Sequence, residues 1–176
     1  MGTGILLCGL NGAGKSTLGR ALAEKLGYKF IDNENLYFPK TDPQNPYASS
    51  RTREEVEALL LREIGENENF VFTSVKGDYG EAVQKRFDYA VLMELPREAR
   101  LRRVRQRSFG RFGDRMLPGG DLHEKEEAFF RLVEARPEDS VRSWLKTLNC
   151  PVLTVDGTSP VSENTARILA WMGPEE

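Results

Sequence analysis

Gly9-Leu10-Asn11-Gly12-Ala13-Gly14-Lys15-Ser16-Thr17 fills the pattern G-x-x-x-x-G-K-[ST] without a gap. It follows the apolar run Ile5-Leu6-Leu7-Cys8 directly and opens an amphipathic segment in which Leu18, Ala21, Leu22 and Leu26 recur at helical spacing. A strand, a glycine turn and a helix start are the context in which this pattern carries chemistry. Glycines at 9, 12 and 14 let backbone N–H groups curl round a phosphate without side-chain obstruction. The N–H groups of Asn11, Ala13 and Thr17 join them, the Lys15 amine reaches β- and γ-phosphates, and the Ser16 hydroxyl ligates Mg²⁺. A turn that merely joins strand to helix is the alternative, and that context outweighs it. The motif predicts a nucleoside-triphosphate site.

Outward from that loop, short apolar runs alternate with helical patterns. Gly27 stops the first helix, and Tyr28-Lys29-Phe30-Ile31 reads as a second strand. A polar stretch marked by Pro39, Pro43 and Pro46 follows. Thr52-Arg53-Glu54-Glu55 forms a capping box before a stripe of Val56, Leu59, Leu60 and Ile64. Phe70–Thr73, Tyr89–Met93 and Val152–Val155 read as three further strands, with helices from about Arg97, across 121–149 and after Pro160. Five apolar strands separated by helices predict an α/β, three-layer fold with a five-stranded parallel sheet covered on both faces. Ligands of such sheets sit beyond the carboxyl ends of the strands, where the glycine loop lies.

Bulk properties set outer limits. A chain of 176 residues, 39% hydrophobic and 30% charged, is long enough for a full core and short for two domains. A formal net charge of −2 argues against a general nucleic-acid binder. No apolar stretch approaches a membrane span, no charged-then-apolar leader opens the chain, and two cysteines make no disulfide framework. A cytoplasmic protein without a membrane partner is expected, as a monomer or a homodimer. The single histidine, His123, reads as a solvated helix residue.

The order of motifs resembles that of the small P-loop kinases, the adenylate-kinase and shikimate-kinase-like group. Phe30-Ile31-Asp32-Asn33-Glu34 looks like its "F-x-D-x-D/E" after the second strand, and Thr73-Ser74-Val75-Lys76-Gly77 stands at its glycine-rich turn after the third. Leu92-Met93-Glu94-Leu95-Pro96 with the arginines after it is similar to the fourth strand and the helix leading into a mobile lid. Asp156-Gly157-Thr158 resembles the loop that cradles the base of ATP. The resemblance covers nearly the whole chain. It implies one domain over 1–176, a substrate segment at about 33–64, an Arg-rich lid at about 107–122, and ATP with Mg²⁺ as donor.

Several side chains stand out. Asp32, just past a strand end, is placed to orient Mg²⁺ waters or accept a proton from an acceptor hydroxyl, or simply to cap a helix beginning at Asn33. The third strand ends in Thr73-Ser74 where many P-loop enzymes carry an acid, which raises the weight on Asp32. Glu34, Arg51 and Arg53 are candidates for gripping the acceptor, and Arg136, within Arg136-Pro137-Glu138-Asp139, for contacting phosphate. Arg136 alternatively pairs with Glu134 or Asp139, and Pro137 fits a first helical turn.

Between Arg97 and Arg115 stand eight arginines and no lysine. All-Arg usage favours planar, bidentate phosphate recognition. Leu101, Val104 and Ser108 make the inward stripe and leave most guanidiniums outside. Arg107 and Arg111 are the candidates for stabilising a transferring phosphoryl group. The expected activity is phosphoryl transfer from ATP to a small acceptor: nucleotide, nucleoside or metabolite. The alternatives are a regulatory nucleotide-binding protein with slow ATPase activity and an RNA-end kinase, the latter favoured only by the arginines.

Overall fold

Two strands are buried at every residue: Gly4–Cys8 (β1) and Phe70–Ser74 (β3). Apolar runs without alternation must be covered on both faces, which puts them in the middle of the sheet. The computed structural model, which describes residues 2–174, has them side by side in the order β2-β3-β1-β4-β5, every pair parallel. The partners are Lys29–Asp32 (β2), Tyr89–Glu94 (β4) and Val152–Asp156 (β5). The edge strands β2 and β5 are the ones that alternate or stay open to solvent.

Lys15–Leu26 (α1) and Val161–Met172 (α8) cover one face, where Leu18, Leu22 and Ile168 meet Ile5, Leu7, Val71, Val91 and Val155. Trp171 stands edge-on to Tyr89 at 5.4 Å and closes this layer. Arg53–Glu66 (α3) lies on the other face with Val56, Leu60 and Ile64 against Leu6, Phe70 and Phe72. Its start carries the expected capping box, Thr52 and Glu55 exchanging side-chain and backbone bonds. Each fully buried Leu or Ile in these layers contributes about 1.5–3 kcal/mol.

Five further helices among the described residues complete the layers around the sheet. They are Asn33–Tyr37 (α2), Glu81–Gln84 (α4), Arg97–Phe112 (α5), His123–Ala135 (α6) and Ser140–Leu145 (α7). A separate apolar cluster of Val104, Phe112, Met116, Leu122, Phe130 and Val133 binds α5 to α6, with Tyr47 packed against it.

Residues 107–112, where the expected lid begins, are helical as the last turns of α5, because Val104, Ser108 and Phe112 continue its buried stripe through Gly110. Two expectations need correction. The inward stripe of α5 takes in Arg100, which is buried, where Leu101 was expected and most guanidiniums were left outside. Pro137 lies in the turn between α6 and α7 rather than in a first helical turn, since α7 begins only at Ser140. The short α4 had no periodic signal to announce it. Among the described residues no helix is long and apolar enough to cross a membrane.

Candidate active site

The glycine loop leaves β1 and turns into α1 at Gly14, whose φ of 93° is left-handed and which offers no side chain as cap. The first N–H groups of α1 are therefore free to meet an anion, with the positive end of the helix dipole behind them. No acid stands in the first turn to compete. Neighbouring backbone shapes the loop from outside. A Cβ on Gly12, itself at φ +85°, would lie 2.4 Å from the Arg100 carbonyl oxygen.

Lys15 donates from Nζ to the Leu10 carbonyl at 3.2 Å, bridging the loop in the absence of a ligand. Burial of its ammonium lowers the pKa to about 8, and the charges of Arg107 and Arg136 push the same way, with Asp32 opposing them. Cys8 opposes them only as a thiolate, and its own thiol is pushed up to about 12 by burial beneath the loop. Asp32, Arg107 and Arg136, drawn from three other stretches of sequence, thus act on Lys15 through their charges. The surplus is positive, as a polyanion site requires.

Asp32 ends β2 beside Thr73 of β3, and its carboxylate accepts from the Glu34 N–H at 3.1 Å. It is the N-cap of α2, and one oxygen remains outside that bond. Thr73 Oγ1 is buried without a hydrogen-bond partner, as are Arg136 Nε and Asn11 Oδ1. Buried polar atoms left unpaired cost about 1–3 kcal/mol each, and all three belong to residues at the glycine loop, at the end of β3 or just after α6. Arg136 pairs with neither Glu134 nor Asp139.

The other side chains singled out from the sequence are spread more widely. After β5 the Asp156 carboxylate accepts from the Thr158 N–H and hydroxyl at 2.8 and 2.6 Å, which turns the chain tightly and holds its own pKa below the usual carboxylate range. Gly157 donates to the Glu94 carbonyl at 2.7 Å, and a Cβ on it would lie 3.0 Å from the Ala13 carbonyl oxygen, so this turn abuts the glycine loop. Arg51 and Arg53 brace neighbouring chain instead of standing free. Arg51 donates to the Leu36 carbonyl at 2.9 Å, and Arg53 bonds the Asp78 carbonyl and lies over the Tyr79 ring.

Glu34 and Arg111 pair at 3.7 Å and both bond the Tyr47 hydroxyl, away from Lys15. Arg115 reaches the Gln44 carbonyl at 2.6 Å, and Lys125 the Tyr47 carbonyl at 2.7 Å. These contacts clasp the loop between α2 and α3 to the end of α5 and the start of α6. Of the arginines on α5, Arg97, Arg100, Arg105 and Arg111 form ion pairs, whereas Arg107 forms none among the described residues.

Sequence reasoning missed four residues of this region: Tyr47, Tyr79, Arg100 and Arg103. Tyr79 donates to Asn33 Oδ1 at 2.7 Å, and Arg103 reaches the Gly157 carbonyl at 3.4 Å. A signal existed for two of them. Arg100, Arg103 and Arg107 share one helical face at i, i+3 and i+7, the face turned to the glycine loop. Tyr47 and Tyr79 lie in irregular chain, where spacing says nothing.

A family model described as "AAA domain" matches residues 5–111. An uncharacterized protein, YqaC, of Bacillus subtilis (strain 168) is 28% identical over 176 residues, covering 96% of each chain. A shikimate kinase of Synechococcus sp. (strain RCC307) is 28% identical over 151 residues, covering 77% of this chain and 75% of its own. Among solved structures, a shikimate kinase from Acinetobacter baumannii in complex with shikimate superposes at a TM-score of 0.61 with 20% identity, covering 97% and 92%. A gluconokinase from Sinorhizobium meliloti 1021 gives 0.53 with 19% identity, covering 97% and 95%. The fold is therefore that of the small P-loop kinases, as the order of motifs implied.

Proposed function

Since the chain belongs to the AAA domain family, we propose that it is a kinase moving the γ-phosphoryl group of ATP to a small-molecule acceptor. The observations that support this reading are the charges of Asp32, Arg107 and Arg136 felt by the buried Lys15 ammonium at the glycine loop, and Arg136 Nε, buried and unpaired. A plain nucleotide-binding turn needs the lysine; it has no use for a carboxylate and two further guanidiniums. The kinases found among its relatives and structural neighbours support the reaction class.

The loop from Gly9 to Thr17 and the start of α1 would hold the phosphates, and Asp156, Gly157 and Thr158 would flank the base. Mg²⁺ fits this donor set. Ser16 and Asp32 would hold it together with phosphate oxygens, consistent with a cation that keeps several waters instead of an all-protein cage. No cluster of three or more His, Cys, Asp or Glu suited to a metal occurs among the described residues. When bound, Mg²⁺ neutralises charge on the phosphates.

The chain's own groups supply the rest. Lys15 and Arg107 stabilise charge on the phosphoryl group in flight. Asp32 accepts the proton of an acceptor hydroxyl, and Arg136 holds an anionic part of the acceptor. Glu34, Arg51 and Arg53 line the acceptor side in the segment 33–64. Arg111 joins the phosphoryl group only after leaving Glu34 and Tyr47, which makes 107–122 the moving part of the site. The arginine-rich helix supports the RNA-end alternative poorly, since most of its guanidiniums are spent on internal partners.

The test is ADP release from purified protein offered pools of small acceptors. ATP consumption should be slow alone and rise sharply with the correct acceptor, because closure over both substrates excludes water. Fast hydrolysis that no small molecule enhances would leave the slow-ATPase reading in its place.

A further inference from the structure

We propose that Arg100 is a positioning residue that ties the phosphate loop to the segment carrying Arg136, so that nucleotide binding orders the acceptor side of the site. The inference rests on the nucleotide-binding reading above.

Arg100 stands in the first turns of α5, with only 3% of its surface exposed. Its Nη1 donates to the Asn11 carbonyl of the phosphate loop at 3.2 Å. Its Nη2 donates to Glu138 Oε1 at 2.6 Å. Its backbone carbonyl forms the wall against which Gly12 rests. One side chain thus touches both halves of the site.

The Asn11 bond has a directional consequence. No peptide bond among the described residues is cis. In a planar trans peptide the carbonyl and the following N–H point to opposite sides. Pulling the Asn11 carbonyl outward toward Arg100 therefore aims the Gly12 N–H inward, where a phosphate oxygen would accept it.

The Glu138 bond fixes the other half. Glu138 lies two residues beyond Arg136 in the turn between α6 and α7. Its carboxylate is shared between Arg100 and Arg97, the latter at 3.0 Å, and Arg97 also holds the Glu134 carbonyl. Burial pulls the Glu138 pKa up, but the two guanidiniums outweigh it and hold it below the usual range. The carboxylate is ionised throughout the neutral range. Arg136, whose Nε has no partner, is carried on a stretch pinned at Glu138. The desolvated guanidinium of Arg100 loses most if either partner moves, so loop and turn shift together.

The test is amide hydrogen exchange on the full chain, with and without ADP and Mg²⁺, beside ADP titration. In the wild type, nucleotide should slow exchange in residues 9–17 and also in 136–140. Glu138→Gln, at a largely exposed side chain, should keep the first protection and lose about tenfold or more of the second, the scale of one charged hydrogen bond. Arg100→Met should weaken ADP binding by about tenfold for the same reason. Arg100→Lys, with a point charge in place of a fork, should rescue one partner but not both. If Arg100→Met fails to fold, Glu138→Gln decides. Wild-type protection confined to 9–17, or protection at 136–140 that survives in Glu138→Gln, overturns the inference while leaving nucleotide binding intact. A wild type that binds no ADP overturns the kinase reading and this inference with it.

Discussion

Nucleotide binding should draw a proton from solvent once the pH passes about 8. Burial lowers the Lys15 pKa from 10.5 to about 8, and Arg107 and Arg136 add to the effect. Cys8 gives no relief, since its thiol stays neutral until about pH 12. Without ligand, roughly half of the molecules then carry a neutral Lys15 at about pH 8, and roughly nine-tenths at about pH 9. Phosphates seated against the amine favour its charged form and raise its pKa again. Binding should therefore take up about half a proton near pH 8 and about 0.9 near pH 9, with almost none near pH 6.5. The sign follows from linkage: protonation is favoured in the complex, so affinity falls as pH climbs above the free-state value. The loss approaches about tenfold per pH unit until the bound-state pKa is reached. Calorimetric titration with ADP in buffer pairs of different ionisation enthalpy reads the uptake directly. Phosphate oxygens titrate near pH 6, so the nucleotide itself contributes little at pH 8 and above. Lys15→Met should abolish the uptake along with most of the affinity. Equal uptake in that variant, or none in the wild type at pH 9, would refute the reasoning.

Gly12→Ala places a Cβ 2.4 Å from the Arg100 carbonyl oxygen at a φ of +85°. It should lower stability by about 1–3 kcal/mol in a denaturant titration and remove ADP binding, so a variant that binds normally contradicts the loop geometry. Asp32→Asn keeps a side-chain oxygen for the Glu34 N–H, so the melting temperature should barely move while turnover falls about a hundredfold or more. Little kinetic change with a small stability loss would reduce Asp32 to a cap. Arg107→Lys keeps a charge near Lys15 but loses the planar fork, and steady-state kinetics should show a fall in kcat without loss of ADP affinity. Unchanged kcat would take Arg107 out of the phosphoryl site.

Where the chain's information is local, it could be read in advance. The five strands announce themselves through apolar runs between turn signals, and the capping box at Thr52 and Glu55 formed as its spacing implied. The glycine loop was legible for the same reason, since every atom it needs lies within nine residues. Helical periodicity failed where a charge has a distant partner. It sorts residues into apolar and polar faces and left most guanidiniums outside without singling out Arg100, which Asn11 and Glu138, 89 and 38 residues away, take inside. Tyr47 was invisible on similar grounds: its hydroxyl meets Arg111, 64 residues on, from a loop with no period. Gly110 does not end α5, because the buried stripe that closes with Phe112 keeps the chain helical past it. A glycine in a helix costs about 1 kcal/mol, less than burying one Phe returns.

The phosphate loop rests against main chain, and this has a consequence for how the protein tolerates change. A Cβ on Gly12 would meet the carbonyl, carbon and Cα of Arg100, and one on Gly157 the carbonyls of Ala13 and Glu94. Such a mould is made of atoms that every residue type shares. Apart from Arg100, whose guanidinium holds the Asn11 carbonyl, side chains near Gly12 and Gly157 can be exchanged through drift without altering the backbone that these glycines meet. The glycines themselves have no such latitude, because no neighbouring substitution makes room for them. Variation is therefore cheap around this loop and forbidden within it, and the geometry of the nucleotide site can outlast most of the sequence that surrounds it.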